Sequence, residues 1–362
     1  MANNFDLAGL ALKAVCPNNE LLVDDKGMPS FMVRIPKMTY AQLGLGSSTL
    51  VHPAFIVNGT EVDEIYISKY QNIVQNGRAY SLPGVDPKAN ITFDDARSAC
   101  EAKGAGWHLM TAMEWAMIAL WCKKNGTMPK GNNDYGKDHG DSIYQAIPSM
   151  ARDGNGKIQR VATGTGPLSW SHDGTPSGIW DLNGNVWEWQ GGMRTVKGEL
   201  QILANNNAAD SDHSQGASSG DWMAISAADG TLITPNGSGT TSGSVKMDWV
   251  SSHAQYDTSI SDASPGSHNC SFEAVTCSAN ISAAAQLLLQ ALGMFKYDST
   301  SGAYNGDWFY FNNAEAERSF FRGGNWNGGA YAGVFNSSGY HPRSFSNADI
   351  GFRSAFVKLP TA

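Results

Sequence analysis

The chain has 362 residues, a formal net charge of −8 and only 16% charged residues. Its length exceeds one average domain, so we expect a compact body with a large insertion or a small extra domain. Lys and Arg are scattered, which argues against a nucleic-acid partner. No run of about 18 apolar residues occurs and the first residues lack a basic leader, so neither membrane insertion nor an export signal is expected.

The cysteine and glycine contents restrict the class of fold further. Five cysteines form no CxxC pair, and no histidine pair has metal-ligand spacing, so the pattern predicts reduced, mostly buried thiols without a disulfide framework or zinc site. Forty glycines and eleven tryptophans indicate an irregular fold rich in turns and packed around aromatic side chains.

The first half of the chain contains one predicted strand and two predicted helices. Residues 1–50 contain three prolines that break any long helix and form a small N-terminal segment, for which attachment or oligomerisation is the suggested role. The alternating run 64–70 (EIYISKY) predicts a strand. Thr92 and Thr111 are each followed three residues later by an acid, which predicts a helix start at both positions, with Gly104 and Gly126 ending the helices.

The second half is less regular. Between about residues 195 and 307 the composition shifts to Ser, Thr, Gly and Asn, which predicts a long, loop-rich insertion with one apolar helix near 283–292. The final segment 351–357 predicts a closing strand, which we expect to pair near the first strand at 64–70.

The segment 178–189 (GIWDLNGNVWEW) places three tryptophans around a tight Asn-Gly turn. It resembles the core motif of the formylglycine-generating-enzyme family, a variant of the C-type-lectin fold. The similarity extends over roughly residues 50–190 and 308–357. The resemblance implies an α+β C-type-lectin-like domain over residues 51–362, with core packing as the role of the tryptophans.

The segment 321–353 (FRGGNWNGGAYAGVFNSSGYHPRSFSNADIGFR) resembles the variable region of proteins diversified by retroelements, such as the phage major tropism determinant. In those proteins, positions with AAC-type Asn codons change while the framework stays. Several residues here are reachable from AAC by adenine changes alone: Gly328, Tyr331, Ser338, Tyr340, His341, Phe345 and Asp349. With the asparagines that remain at such positions, Asn325, Asn327, Asn336 and Asn347, they form the predicted ligand-binding set of the variable region 322–353.

The framework between these positions is predicted to be rigid. Glycines allow turns, large apolar residues can bury, and arginines can tie loops through several hydrogen bonds. The scaffold set is Arg322, Gly324, Trp326, Trp187, Trp189, Phe352 and Arg353. We expect the predicted ligand-binding residues to face outward together, with Tyr331, Tyr340, His341 and Phe345 side by side above Trp326 and Phe352.

An alternative is a metal-dependent oxidase of the formylglycine-generating or sulfoxide-forming type. Relatives that act on substrate hold copper with two cysteines near the C-terminal end of the domain, but here no cysteine follows Cys277. Iron relatives need grouped histidines, which the eight scattered histidines do not offer. We therefore predict no catalytic metal and no cofactor; the resemblance leaves room only for a structural calcium near the turn at Asn183 and Gly184.

The resulting hypothesis is a target-binding protein and not an enzyme. The expected partner is a cell-surface protein or glycan, and homo-oligomer formation is compatible with the sequence. The resemblance implies a phage or prophage tail protein made in the bacterial cytoplasm, with the bacterial cell surface as the alternative location. A structural tail protein that does not use its C-terminus for binding is a third hypothesis.

Overall fold

The computed structural model describes residues 5–360. Within this range it contains the α-helices α1 (Asp6–Val15), α2 (Phe93–Glu101), α3 (Ala112–Asn125) and α4 (Ala283–Ala291). The first nine strands are β1 (Asn19–Val23), β2 (Pro29–Pro36), β3 (Ile56–Val57), β4 (Thr60–Glu61), β5 (Glu64–Ser68), β6 (Ile73–Gln75), β7 (Arg78–Tyr80), β8 (Trp107–Leu109) and β9 (Trp187–Val196).

The remaining strands follow α3 and complete the sheets. They are β10 (Glu199–Ile202), β11 (Met223–Ile225), β12 (Leu232–Ile233), β13 (Lys246–Val250), β14 (His253–Asp257), β15 (His268–Ser271), β16 (Thr276–Cys277), β17 (Trp308–Phe311), β18 (Arg318–Gly323), β19 (Gly333–Gly339), β20 (Ile350–Gly351) and β21 (Ser354–Phe356). Between residues 5 and 360, no helix is long and apolar enough to cross a membrane.

The helix starts follow from local capping. The Thr111 side chain accepts a hydrogen bond from the Glu114 backbone and Glu114 bonds back to Thr111, a reciprocal pair that satisfies two free N–H groups. Gly126 ends this helix in a left-handed conformation with φ +67°. The Thr92 side chain accepts a hydrogen bond from the Asp95 backbone and its hydroxyl donates to the Asp95 carboxylate, without the reciprocal backbone bond of α3. The predictions of both helix starts are confirmed.

Two large sheets contain most of the strands, and β3 with β4 and β6 with β7 form two separate two-stranded sheets. The smaller of the two large sheets has the order β1-β2-β5-β21-β8, and the larger, twelve-stranded sheet has the main order β15-β17-β19-β18-β9-β10-β13-β14-β16. β21 pairs with β5 antiparallel, so the predicted closing strand does lie beside the first predicted strand. The predicted single strand 351–357 is, however, split: β20 pairs with β9 in the large sheet before the chain crosses to β21 in the small one.

The N-terminal segment lies within the main fold. β2 pairs with β5 from Met32 to Pro36, which covers the full length of β5. Side chains from β2 and from the turn that follows it belong to the largest hydrophobic cluster. The boundary predicted near residue 50 therefore does not separate the segment from the domain, because the apolar side chains of 29–45 bury against the same core. The first four residues of that segment and the last two of the chain lie outside the described residues.

The 195–307 segment is also more regular than predicted. It contributes β10 to β16 and the helix α4, which lies close to the range expected for it. Tyr256, Phe272 and Leu289 from this segment are fully buried in the largest cluster, together with side chains of α3. Because α3 is apolar on nearly all sides, it needs a second layer to cover it, and this segment supplies part of that layer.

Candidate functional site

Four neighbouring strands, β17, β19, β18 and β9, present a row of side chains on one face of the large sheet. Tyr310 pairs with Ser338 across β17 and β19, and Ser338 pairs with Phe321 across β19 and β18. The Trp187 ring on β9 lies 4.9 Å from the Phe321 ring and 6.3 Å from the Tyr310 ring, measured between centroids. Side chains alternate along each strand, so the residues between them point to the core.

The chain after β19 folds back over this row. The Ser319 backbone N–H donates to the carbonyl of His341, which holds the start of the loop against β18. The His341 ring stacks on Phe321 at 5.8 Å and on Phe345 at 3.6 Å, and the Tyr340 ring meets His341 edge-on at 4.7 Å. The loop thus adds a second layer of rings to the sheet face.

Together these residues form a depression of about 200 Å³, which we call the aromatic depression. Six of the predicted ligand-binding residues line it. Its lining consists of Trp187, Ser267, Tyr310, Phe321, Ser338, Tyr340, His341, Phe345, Asn347, Asp349 and Ile350. The structure thus gathers six of the eleven predicted residues around one concave feature.

The other predicted ligand-binding residues lie around or below it. Tyr331 is 49% exposed and packs against the Trp308 ring, with the centroids 4.4 Å apart. Asn325 donates from Nδ2 to the Asp349 carboxylate at 2.6 Å. Asn327 and Gly328 lie outside the depression, on the turn that leads to Tyr331.

Two predicted surface residues are buried. Asn336 and Ser338 are 1% and 4% exposed, because β19 is an interior strand of the large sheet. Asn336 donates a hydrogen bond to the backbone carbonyl of Tyr331, whereas Ser338 still lines the depression. The expectation that all predicted ligand-binding residues face outward is therefore wrong for Asn336.

The support beneath the surface also differs in part from the expectation. Phe352 is fully buried in the cluster that contains Trp189 and Phe321, and Phe345 packs on this cluster. Trp326 belongs to a separate cluster with Ala89, Val186, Tyr135 and Ala348. Trp326 is thus buried as predicted but does not share the packing layer of Phe352.

Trp308 and Tyr310 belong to this surface but are absent from the ligand-binding and scaffold residues predicted from the sequence. Both lie on β17 and face the same side of the sheet, since alternate residues share a face. Asn269 on β15 accepts a hydrogen bond from the Trp308 indole at 3.0 Å. The run WFYF at 308–311 carries aromatic residues at every position, so alternation alone could not show which two face outward.

Arg353 joins the two sheets below the site. Its guanidinium makes two hydrogen bonds of 2.6 Å to the Glu188 carboxylate on β9 and donates to the backbone carbonyls of Ser68 and Trp180. Both charged side chains of this pair are buried. The predicted scaffold role of Arg353 is consistent with this bidentate arrangement, which fixes the chain at the end of the segment 322–353.

Arg322 has a comparable place at the other end of the variable region. It is fully buried and donates to the carbonyls of Gly293 and Leu292 at the C-terminal end of α4. Burial lowers its pKa to about 10. The backbone carbonyls at a helix end carry partial negative charge, so this contact ties α4 to β18 without an acidic partner.

Close packing requires a glycine at position 324 of the predicted variable region. Gly324 has φ +82°, and a Cβ added there would lie 2.4 Å from the Cβ of Ala332. A side chain is therefore excluded by both the backbone conformation and the available space.

The cysteines do not fit the copper site of the relatives that act on substrate. Cys16, Cys100, Cys122 and Cys270 are buried, and all five thiols are free. Burial raises the pKa of Cys277 to about 12, which disfavours the thiolate that a soft metal requires. Among residues 5–360 no group of three or more His, Cys, Asp or Glu side chains is placed to hold a metal ion.

The turn considered for calcium is held by protein groups. The side-chain oxygen of Asn183 accepts a hydrogen bond from Asn133, and its amide donates to the carbonyl of Pro129. Gly184 has φ +77° and lies against the backbone of Asn132, where a Cβ would be 2.1 Å from the carbonyl oxygen. Hydrogen bonds and close backbone packing account for the turn without an ion.

The two sheets, the capped helices and the tryptophan-rich turn define the class of protein: a C-type-lectin-like domain of mixed α/β structure with a large mixed sheet. The family model described as the sulfatase-modifying factor enzyme 1-like domain (FGE-sulfatase) matches residues 28–224, more than half of the chain. The chain belongs to this family.

Several solved structures are similar at low identity. PvdO from Pseudomonas aeruginosa is 13% identical with a TM-score of 0.37, and the match covers 93% of this chain and 97% of that one. The Major Tropism Determinant P3c variant is 12% identical with a TM-score of 0.30, covering 90% and 62%. Treponema denticola variable protein 1 is 13% identical with a TM-score of 0.34, covering 93% and 98%. A comparison with curated protein sequences finds no match.

Proposed function

We propose that the chain is a target-binding protein whose variable region, residues 322–353, forms a diversified recognition surface, and that it does not act as an enzyme. The observation that carries the proposal is the aromatic depression: six predicted ligand-binding residues meet there, five of them in the loop after β19. Buried groups such as Arg353 and Phe352 hold the loop from below. A diversified surface needs its variable side chains to lie outside the core, because these side chains can then change while the core stays intact.

The chemistry of the surface supports recognition of a macromolecule. Tyr331, Tyr340 and Phe345 offer large contact areas with few rotatable bonds, and neighbouring Ser and Asn side chains offer adaptable hydrogen bonds. Trp308 and Tyr310 extend the aromatic area onto β17, outside the variable region. The proposed partner is a cell-surface protein or glycan, since exposed aromatic side chains are frequent anchors of such interfaces.

A library experiment tests the proposal. The seven positions inferred to have changed from asparagine would be randomised together, displayed and selected against an unrelated immobilised protein. These positions are Gly328, Tyr331, Ser338, Tyr340, His341, Phe345 and Asp349. A matched library would randomise seven exposed positions in the loop 150–157.

We expect most members of the first library to fold and specific binders to arise from it, with few or none from the loop library. If most members of the first library failed to fold, or if binders arose equally from both, the recognition-surface proposal would be wrong. Diversification itself predicts an asparagine-rich second copy of the 322–353 coding segment beside a reverse-transcriptase gene in the neighbouring DNA.

The location and the non-enzymatic role have their own tests. We propose a phage or prophage tail as the site of action, with the bacterial cell surface as the alternative; mass spectrometry of purified virions and of surface fractions distinguishes the two. Copper-loaded protein is expected to consume no oxygen with a cysteine-containing peptide. Steady oxygen consumption under these conditions would support the oxidase alternative instead.

A further inference from the structure

The walls of the aromatic depression are mainly ring faces and edges. Trp187, Phe321 and Tyr310 form its base on the sheet, and the stacked rings of His341 and Phe345 form one side. Its volume of about 200 Å³ accommodates one long side chain of a partner but not a whole folded element. Aromatic faces attract cations because of the negative charge on the ring face.

Asp349 is the one carboxylate among the residues that line the depression. Its Oδ2 accepts a hydrogen bond from Asn325, whereas its Oδ1 is shielded from solvent and accepts no hydrogen bond from a described residue. The charge of this carboxylate is thus compensated only by the Asn325 amide, and a cation close to it in the depression would stabilise it.

Among residues 5–360, no Lys or Arg lines the depression or forms a salt bridge with Asp349. Arg318, which lies near the loop, pairs with Glu315, and Arg343 pairs with Glu317. Burial lowers the pKa of His341 to about 4, so this ring is neutral near pH 7.

We propose that the aromatic depression binds a basic side chain, Arg or Lys, of a protein target. The proposal rests on the recognition function proposed above and specifies its chemistry for this member of the diversified set. The cation would lie against the rings of Trp187 and Phe345 and pair with Asp349. The net charge of −8 on the chain favours approach of a basic partner.

The test uses small probes and the full chain labelled with 5-fluorotryptophan, in which a Trp187→Phe variant identifies the Trp187 signal. The probes are N-acetyl-arginine N-methylamide, its neutral isostere N-acetyl-citrulline N-methylamide, and methyl glucoside. The variants are Asp349→Asn, which keeps the acceptor for Asn325, and Phe345→Leu, which keeps apolar area without the ring. Asp63→Asn is the matched control, since Asp63 is an acid with a 94% exposed side chain outside the depression.

We expect the arginine probe to shift the Trp187 signal with an affinity at least about tenfold higher than that of citrulline. Asp349→Asn should reduce arginine binding to the level of citrulline, Phe345→Leu should weaken it several-fold, and Asp63→Asn should leave it unchanged. Equal binding of arginine and citrulline, stronger binding of the glucoside, or no shift with any probe would overturn this proposal. The library experiment would still decide the recognition function separately, because it does not depend on ligand charge.

Discussion

The imidazole of His341 stacks face to face on the ring of Phe345, with the centroids 3.6 Å apart and the planes only 6° from parallel. Both residues are predicted ligand-binding positions, so the surface carries its own aromatic packing. The His341 ring in turn stacks on Phe321 of the sheet. The loop is therefore anchored by the same rings that it presents to a partner.

The protonation of His341 leads to a prediction about stability. Burial, with a smaller contribution from Arg318, lowers the pKa of His341 from 6.5 to about 4. Between these values the unfolded chain binds more protons than the folded chain, so this contribution to stability is complete above pH 6.5 and is lost as the pH falls towards 4. We expect His341→Phe to reduce the loss of unfolding free energy in this window, measured by urea unfolding.

In the His341→Phe variant the pH dependence of the unfolding free energy should be reduced and not abolished, because burial also lowers the pKa of His52 and His172 to about 4. A pH profile of the His341→Phe variant identical to that of the parent chain would contradict the assignment of a depressed pKa to this ring.

Tyr331 and Phe345 are expected to contribute differently to the unfolding free energy, because their side chains differ in exposure. Tyr331 is 49% exposed, so Tyr331→Ala is expected to change the unfolding free energy by less than about 0.5 kcal/mol. Phe345 is half-buried and stacked, so Phe345→Ala is expected to cost about 1 kcal/mol. Both changes should weaken the affinity for a target protein that was selected for binding to the unmodified surface. If Tyr331→Ala left such binding unchanged, this tyrosine would lie outside the contact area.

The backbone at Gly324 tolerates no side chain. Gly324→Ala is expected to destabilise the fold by roughly 2 kcal/mol or more, since it combines a strained φ with a clash against Ala332. Gly154→Ala serves as the control, because a Cβ there meets no atom within 4 Å. Thermal unfolding of the two variants gives the comparison, and equal midpoints would show that the backbone near Gly324 can relax.

The buried pair between Arg353 and Glu188 is expected to be sensitive to removal of one charge. Glu188→Gln leaves the guanidinium without its counter-charge, at an expected cost of about 3–5 kcal/mol. Glu61→Gln, which removes an exposed partner of Lys37, is expected to cost less than about 1 kcal/mol. Similar losses in the two variants, measured by urea unfolding, would mean that the buried pair adds little beyond a surface contact.

The sequence by itself determined the features that short stretches of chain encode. The starts of α2 and α3 follow from a cap and an acid three residues apart, and the turn at Gly184 follows from residues that accept a left-handed conformation. The family resemblance predicted the fold. It also marked the predicted ligand-binding residues, six of which the structure brings to one depression.

Only the tertiary structure decided which distant segments meet. Tyr310 lies beside Ser338 because β17 and β19 pair in parallel, and β2 enters the small sheet by pairing with β5. The burial of Asn336 likewise follows from the interior position of β19. Local propensity contains no information about the partner or register of a strand, since these depend on how the apolar faces of remote segments cover one another.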